Sequence, residues 1–190
     1  MSLPLVALFT GPPGTGKSTL ADAIGRELSA PVFAWDWIMA PLTQVEPVDR
    51  AMQAMERSDF WGIGYALIDQ LTEKQLRNGQ SALIDCVARE GAEMRWAATA
   101  ARHDAPFFVV ECACADENLH RRRIEGRTRG IPGWYELRWD QVAQTRRTYE
   151  PLGGAKLTVD AGDSLETNLA RVRAHLRIGK DERGTRGRSA

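Results

Sequence analysis

The chain has 190 residues, a length that one α/β domain with a substantial buried core accommodates. Its 25 Lys and Arg residues equal its 25 Asp and Glu residues, so it lacks the bulk positive charge that drives non-specific binding to nucleic acid. Any site for a polyanion must therefore be local.

The first predicted element is a buried strand at residues 5–9, an apolar run of the length typical of parallel sheets. Apolar residues then recur at helical spacing from Leu20 to Leu28. Between them, residues 11–18 read Gly-Pro-Pro-Gly-Thr-Gly-Lys-Ser and match the phosphate-loop pattern G-x-x-x-x-G-K-[ST]. In such a loop the backbone N–H groups enclose a β-phosphate, the lysine contacts the β- and γ-oxygens, and the serine hydroxyl binds Mg²⁺. The sequence therefore predicts a site for a nucleoside triphosphate and Mg²⁺, formed by Gly11, Pro12, Pro13, Gly14, Thr15, Gly16, Lys17, Ser18 and Thr19, with Lys17 also catalytic.

The second predicted strand, residues 31–34, is followed by Trp35-Asp36-Trp37, and we expect it to end at a functional loop. A carboxylate at this position can accept the proton of an acceptor hydroxyl while that hydroxyl attacks a γ-phosphate. Asp36 is therefore the candidate base, and the alternative is a loop aspartate that caps the next helix. Trp35 and Trp37 are candidate walls for the acceptor, although either can equally be a core residue.

A helix follows, marked by Phe60, Ile63, Leu67 and Leu71, and the third predicted strand covers residues 81–86. Asp85 lies near the end of that strand, where a Walker B carboxylate holds Mg²⁺ directly or through water. The alternative is a turn residue at the end of the strand. Five residues are candidates for the acceptor pocket or, equally, for the core or surface: Phe60, Trp61, Tyr65, Arg89 and Glu90.

After a predicted helix at 93–102 and a fourth strand at 106–112, residues 118–133 combine arginines with glycines and are predicted to form a mobile lid. Arg123 and Arg127 stand one helical turn apart, a spacing that allows both to contact a transferring phosphoryl group. A nucleic-acid patch and an ordinary solvated helix face are the alternatives, and the solvated face is favoured for Arg121 and Arg122.

The fifth predicted strand covers residues 157–160, and the closing helix runs to residue 176 with Asp163 and Glu166 in a capping arrangement. Residues 1–176 are therefore predicted to form one domain, and residues 177–190 a disordered tail. Strands that alternate with helices predict a mostly parallel five-stranded sheet with helices on both faces. The phosphate loop, Asp36 and Asp85 are then expected to meet at the carboxyl edge of the sheet.

The three cysteines, Cys86, Cys112 and Cys114, have no metal-binding spacing and lie in or beside apolar runs, so we expect reduced core thiols. No segment approaches the roughly 18 apolar residues of a membrane span, and the apolar run at the start of the chain is shorter than most signal-peptide cores. A cytoplasmic location is expected.

The chain resembles the small P-loop kinases in an ordered set of motifs. These motifs are the phosphate loop, Asp36, Asp85, the Arg123-Ile-Glu-Gly-Arg127 segment, Tyr149-Glu-Pro151 and Val159-Asp160. The small P-loop kinases include polynucleotide 5′-kinases, zeta-toxin-like kinases and chloramphenicol phosphotransferase. The resemblance implies a P-loop NTPase-type three-layer α/β/α sandwich that binds ATP and Mg²⁺. It also implies that Asp36 is the acceptor-side acid and that Arg123 and Arg127 are lid arginines.

The expected function is transfer of the γ-phosphate of ATP to a hydroxyl of a small-molecule acceptor. A polynucleotide 5′-hydroxyl kinase is one alternative, but relatives that phosphorylate nucleic-acid ends tend to carry a basic residue where this chain has Met39. A non-enzymatic ATP sensor is another, since it needs the loop but neither Asp36 nor the arginines. A GTPase is disfavoured because no Asn-Lys-x-Asp-like segment is present, and a mechanical ATPase because Asp85 is followed by Cys86.

Overall fold

A computed structural model describes residues 3–89 and 91–178. Five strands form one parallel sheet in the order β2-β3-β1-β4-β5. They are β1 Val6–Thr10, β2 Val32–Ala34, β3 Ala82–Asp85, β4 Phe107–Ala113 and β5 Leu157–Asp160. Each lies within one or two residues of a predicted strand.

Helices connect the strands and cover both faces of the sheet. Within the described ranges they are α1 Lys17–Leu28, α2 Trp35–Thr43, α3 Glu46–Ala54, α4 Arg57–Arg77, α5 Ala92–Ala101, α6 Glu117–Glu125, α7 Trp139–Thr148 and α8 Leu165–His175. α2 and α3 were not expected from the sequence. α3 has only nine residues and buries only Met52. No helix of residues 3–89 and 91–178 has the length and apolar content needed to cross a membrane.

The central strand β1 divides the core into two layers. Val6 and Leu8 pack on one face of the sheet with residues of α2, α4 and α5, while Ala7 and Phe9 pack on the other face with residues of α1 and α8. A strand buried on both faces has a continuous apolar sequence, which is why β1 could be recognised. The predicted three-layer α/β/α sandwich is confirmed.

The buried face of α4 differs from the predicted one. Leu67 and Leu71 are 38% and 40% exposed, whereas Gly64, Ile68 and Thr72 are buried. The buried stripe also contains Asp69, whose carboxylate accepts a 2.5 Å hydrogen bond from the Thr99 hydroxyl of α5. Gly, Thr and Asp residues can be buried through close packing and hydrogen bonds without adding to the apolar pattern of the sequence. The apolar periodicity of α4 therefore indicates the wrong face.

Gly64 marks the closest approach between α4 and α2. A Cβ atom on Gly64 would lie 2.0 Å from Nε1 of Trp35, whereas a Cβ on Gly62, in the same helix, would meet nothing within 4 Å. We expect Gly64→Ala to destabilise the protein by about 1–3 kcal/mol, because the Trp35 indole must shift within a packed core. Gly62→Ala should instead stabilise it by up to about 1 kcal/mol through better helix propensity. Urea unfolding of the two variants tests this difference, and equal effects would contradict it.

The end of the chain requires two corrections. α8 is capped by Ser164, whose hydroxyl accepts a 3.1 Å bond from the Thr167 N–H, so the predicted cap is wrong by one position. Asp163 instead pairs with Arg171. The predicted disordered tail begins too early, because Ile178 packs against the core, and the rest of that prediction lies outside the described residues.

Candidate active site

A cavity of about 740 Å³ opens at the carboxyl ends of β1, β2 and β3. Pro13, Gly14, Gly16, Lys17, Ser18, Thr19, Asp36, Asp85 and Arg127 all contribute to its lining. The phosphate loop, Asp36 and Asp85 therefore meet at one edge, as the predicted topology requires.

The phosphate loop adopts a conformation that depends on its glycines. Gly11, Gly14 and Gly16 have φ angles of 125°, 85° and 90°, which side chains rarely allow. A Cβ on Gly11 would lie 2.0 Å from the carbonyl oxygen of Cys112, on the neighbouring strand β4. The loop leads directly into α1, so its N–H groups and the N-terminus of that helix form the concave site that suits a phosphate.

Lys17 is buried beside this loop. Its Nζ donates a 2.9 Å hydrogen bond to the carbonyl of Pro12, and the Thr15 hydroxyl donates to the same carbonyl at 2.8 Å. Burial lowers the pKa of Lys17, and the nearby carboxylate of Asp85 opposes that effect. A bound phosphate would add the negative charge that a buried ammonium group requires.

Ser18 and Asp85 are in direct contact. The Ser18 hydroxyl donates a 2.6 Å hydrogen bond to the carboxylate of Asp85, which is buried. Burial raises the pKa of Asp85, while Lys17 and the Ser18 hydrogen bond lower it. The described residues contain no cluster of three or more His, Cys, Asp or Glu able to hold a metal. This hydroxyl and carboxylate fit Mg²⁺, which takes few protein ligands and completes its shell with phosphate and water oxygens.

His120 packs against the phosphate loop and is hydrogen-bonded to it, a contact that was not predicted from the sequence. It is almost fully buried in α6, with Nε2 2.6 Å from the carbonyl oxygen of Pro13 and Nδ1 3.1 Å from a guanidinium nitrogen of Arg146. Because a guanidinium can only donate, Nδ1 must accept, and Nε2 carries the proton and donates to Pro13. A Cβ on Gly14 would lie 2.5 Å from Cδ1 of Ile124, so α6 packs directly on the loop.

This arrangement requires a neutral imidazole, and we expect it to make the stability of the protein pH-dependent. Burial lowers the pKa of His120 below its ordinary value of 6.5, and the positive charge of Arg146 acts in the same direction. The unfolded chain therefore takes up the proton first, and the stability present above pH 6.5 is lost as the pH falls towards the lower folded-state pKa. His120→Gln keeps a donor but does not titrate, so its free energy of unfolding should fall less between about pH 7 and pH 5. Urea unfolding across this range measures the difference, and parallel curves would contradict it.

Asp36 lies in the first turn of α2, which begins directly after β2 with Ala34 as its N-cap. The predicted functional loop is therefore wrong, because a helix starts there, and Asp36 does not cap it. A carboxylate in the first turn is favoured by the helix dipole. Oδ2 of Asp36 accepts a hydrogen bond from the guanidinium of Arg129, which also contacts Glu136 at 3.4 Å.

The arginines are arranged differently from the predicted pair. α6 ends at Glu125, so Arg123 and Arg127 do not share a helical face. The Arg123 guanidinium donates a 2.7 Å bond to the carbonyl of Ala161, whereas Arg127 and Arg129 line the cavity. Burial lowers the pKa of Arg127, with the charge of Arg129 in the same direction. Arg121 pairs with Glu125 at 2.8 Å on the exposed surface, in keeping with a solvated helix face.

Aromatic residues form part of the lining of the cavity. Buried Trp35 stacks on Trp61, with ring centroids 4.4 Å apart, and Trp37 is 55% exposed. Of the candidate acceptor residues, Trp61 and Arg89 line the cavity. Tyr65 is a core residue that donates a 2.9 Å bond to Val87, and Phe60 lines a separate pocket. Glu90 lies outside the described residues.

Comparison with known proteins gives a family and a set of structures of the same fold. A family model described as an AAA domain matches residues 6–152. A sugar kinase from a Janibacter species superposes with a TM-score of 0.66 at 15% identity, covering 93% of this chain and 96% of the other. A gluconokinase from Sinorhizobium meliloti superposes with a TM-score of 0.64 at 18% identity, covering 94% of each chain. The APS kinase of Mycobacterium tuberculosis superposes with a TM-score of 0.61 at 15% identity, covering 93% of this chain and 99% of the other. No curated protein sequence matches the chain.

Proposed function

The chain belongs to the AAA domain family, and from that premise we propose that it is a kinase that transfers the γ-phosphate of ATP to a hydroxyl group of a small molecule. The observation that carries this proposal is the convergence of Lys17, the Ser18–Asp85 pair and Asp36 on one cavity. A nucleotide sensor needs the first two features but has no use for the additional carboxylate of Asp36 in the same cavity.

The names of the structural neighbours support the same class. The sugar kinase, the gluconokinase and the APS kinase all have this fold along nearly their whole length. Because the identities are at or below 18%, they indicate the fold, and the kinase assignment depends on the cavity residues together with the resemblance of the motifs. The cytoplasm, where ATP is abundant, remains the predicted location.

The phosphate loop and Lys17 would hold the β- and γ-phosphates of ATP, and Arg127, which lines the same cavity, would contact the transferring group. Ser18 and Asp85 would hold Mg²⁺, which neutralises charge on the β- and γ-oxygens. Arg123, whose guanidinium is bound to Ala161, would need to change its contacts to reach a phosphoryl group, so Arg127 is the stronger candidate lid arginine.

Asp36 would act on the acceptor. Arg129 binds Oδ2 of its carboxylate and leaves Oδ1 for the acceptor hydroxyl. As the acceptor oxygen forms its bond to the γ-phosphorus, the bond from that phosphorus to the β,γ-bridging oxygen breaks and ADP leaves. The hydroxyl proton passes to Asp36, so atoms and charge balance without a further reactant.

The test is to measure ADP release and phosphoryl transfer with [γ-³²P]ATP against panels of sugars, sugar acids, nucleosides, antibiotics and oligonucleotides with 5′-hydroxyl ends. We expect ADP to form in stoichiometric amounts with a phosphorylated small molecule. Transfer to the oligonucleotides alone would support the polynucleotide kinase instead. ATP binding without transfer to any compound would support the sensor.

The magnesium site can be tested separately. Ser18→Ala removes the hydroxyl that contacts Asp85 and should raise the Mg²⁺ concentration needed for half-maximal activity by about 10- to 100-fold. Thr19→Ala removes the next hydroxyl, which makes no bond to Asp85, and should change this concentration far less. Equal changes in the two variants would remove Ser18 from the metal site.

A further inference from the structure

Five residues outside the phosphate loop that line the cavity, here called the acceptor half, are Trp37, Arg57, Trp61, Arg89 and Tyr135. Three of these residues are aromatic and two are arginines, and Asp36 lines the same cavity. Planar rings offer apolar surface to the body of a ligand, while arginines offer donors fixed in one plane.

The charges of the acceptor half are not balanced within the described part of the chain. Neither Arg57 nor Arg89 has a carboxylate within 4.0 Å there, whereas Arg129 contacts both Asp36 and Glu136. The carboxylates of Asp22 and Asp85 also line the cavity, on the side of the phosphate loop. Their cationic partners there would be Lys17 and Mg²⁺. Two guanidinium groups are thus left at the acceptor half without an anion of the described chain.

Both arginines are exposed to solvent, and each has a local feature that bears on ligand binding. The Arg89 guanidinium lies 5.1 Å from the ring centroid of Trp61, a cation–π contact that holds the group against the wall. Arg57 occupies the first turn of α4, where the helix dipole disfavours a cation. It also lies close enough to Tyr135 to lower the pKa of that phenol, against the larger opposing effects of burial and of Asp36.

We propose that the acceptor carries an anionic group, a carboxylate or a phosphate, that Arg57 and Arg89 bind while the acceptor hydroxyl reaches Asp36. This inference rests on the proposed kinase function and adds the substrate class to it. Guanidinium groups suit both anions because their parallel N–H groups match two oxygens at once. The ring or carbon skeleton of the acceptor would lie between Trp61, Trp37 and Tyr135.

Three pairs of hydroxyl compounds that differ in the anionic group provide the probes. They are 4-(hydroxymethyl)benzoate and 4-(hydroxymethyl)benzamide, D-gluconate and D-glucitol, and glycerol 3-phosphate and glycerol. Calorimetry with the full chain, Mg²⁺ and a non-hydrolysable ATP analogue measures the affinity for each compound. We expect the anion to bind at least tenfold more tightly than its neutral partner in one or more pairs, and the Arg57→Gln/Arg89→Gln variant to lose that preference.

The matched control is Arg121→Gln, which removes an exposed arginine that does not line the cavity, and it should retain the preference. The single variants Arg57→Gln and Arg89→Gln should each lose part of it, and all variants should bind the ATP analogue as the unmodified chain does. Equal or undetectable binding within every pair would overturn the inference, as would a preference that survives in the double variant.

Transfer of phosphate from [γ-³²P]ATP to the same compounds separates this inference from the proposed function. A preference for anions that depends on both arginines, without any transfer, would overturn the kinase proposal and leave the anion site standing. Transfer of phosphate to the neutral compounds at the same rates as to the anionic ones would overturn the anion site and leave the kinase proposal standing. Transfer to an oligonucleotide with a 5′-hydroxyl end, but to none of the six compounds, would overturn the small-molecule acceptor.

Discussion

Asp36→Asn should lower the rate of phosphoryl transfer by about 10²–10⁴-fold, the contribution usual for a general base, and leave ATP affinity close to normal. The amide cannot take the hydroxyl proton, but the phosphate loop and the Ser18–Asp85 pair are untouched. Single-turnover transfer to an identified acceptor measures the chemical step, and calorimetry measures ATP binding. A loss of ATP affinity in proportion to the loss of rate would assign Asp36 to the nucleotide side.

Asp36→Asn also weakens the ion pair with Arg129, so it needs a control that disturbs Arg129 but leaves the Asp36 carboxylate in place. Glu136→Gln provides it, because Glu136 is the other carboxylate that contacts Arg129. If Asp36 acts as the base, Glu136→Gln should retain most of the transfer rate. If the orientation of Arg129 is the essential feature, the two variants should lose comparable activity.

Lys17→Ala should reduce turnover by at least about 10³-fold, since the phosphate loop has no second cation to place against the β- and γ-oxygens. The Lys17 ammonium is buried near Asp85 and is held beside the loop by its hydrogen bond to the Pro12 carbonyl. The measurement is kcat at saturating ATP and Mg²⁺, together with thermal unfolding to confirm that the variant folds. Lys74→Ala, on the exposed surface of α4, is the control and should behave as the unmodified chain. Near-normal turnover of Lys17→Ala would exclude the proposed role of the loop.

The parts that could be predicted from the sequence are those specified by short stretches of chain. β1 and the phosphate loop are encoded within the first 18 residues, and the position of Asp85 follows from the apolar strand that precedes it. Parallel topology then requires the carboxyl ends of the strands to meet at one edge. For this reason the general location of the site could be predicted before the structure was known.

The contacts that shape the site could not be predicted in this way. Arg129 reaches Asp36 across 93 positions of the sequence, and His120 reaches Pro13 across 107. Neither contact has a spacing or a periodicity that marks it. The expected helical spacing of Arg123 and Arg127 is wrong because the helix stops at Glu125, and helix ends are the least predictable part of a helix.

α6 links the two halves of the cavity. Its His120 and Ile124 rest on the phosphate loop, and the chain that leaves this helix soon reaches Arg129, which holds the acceptor-side carboxylate. A nucleotide that displaced the loop would therefore displace the helix that leads into the segment holding Asp36. The phosphate loop and the carboxylate of Asp36 thus share a support, formed by α6 and the short segment that follows it.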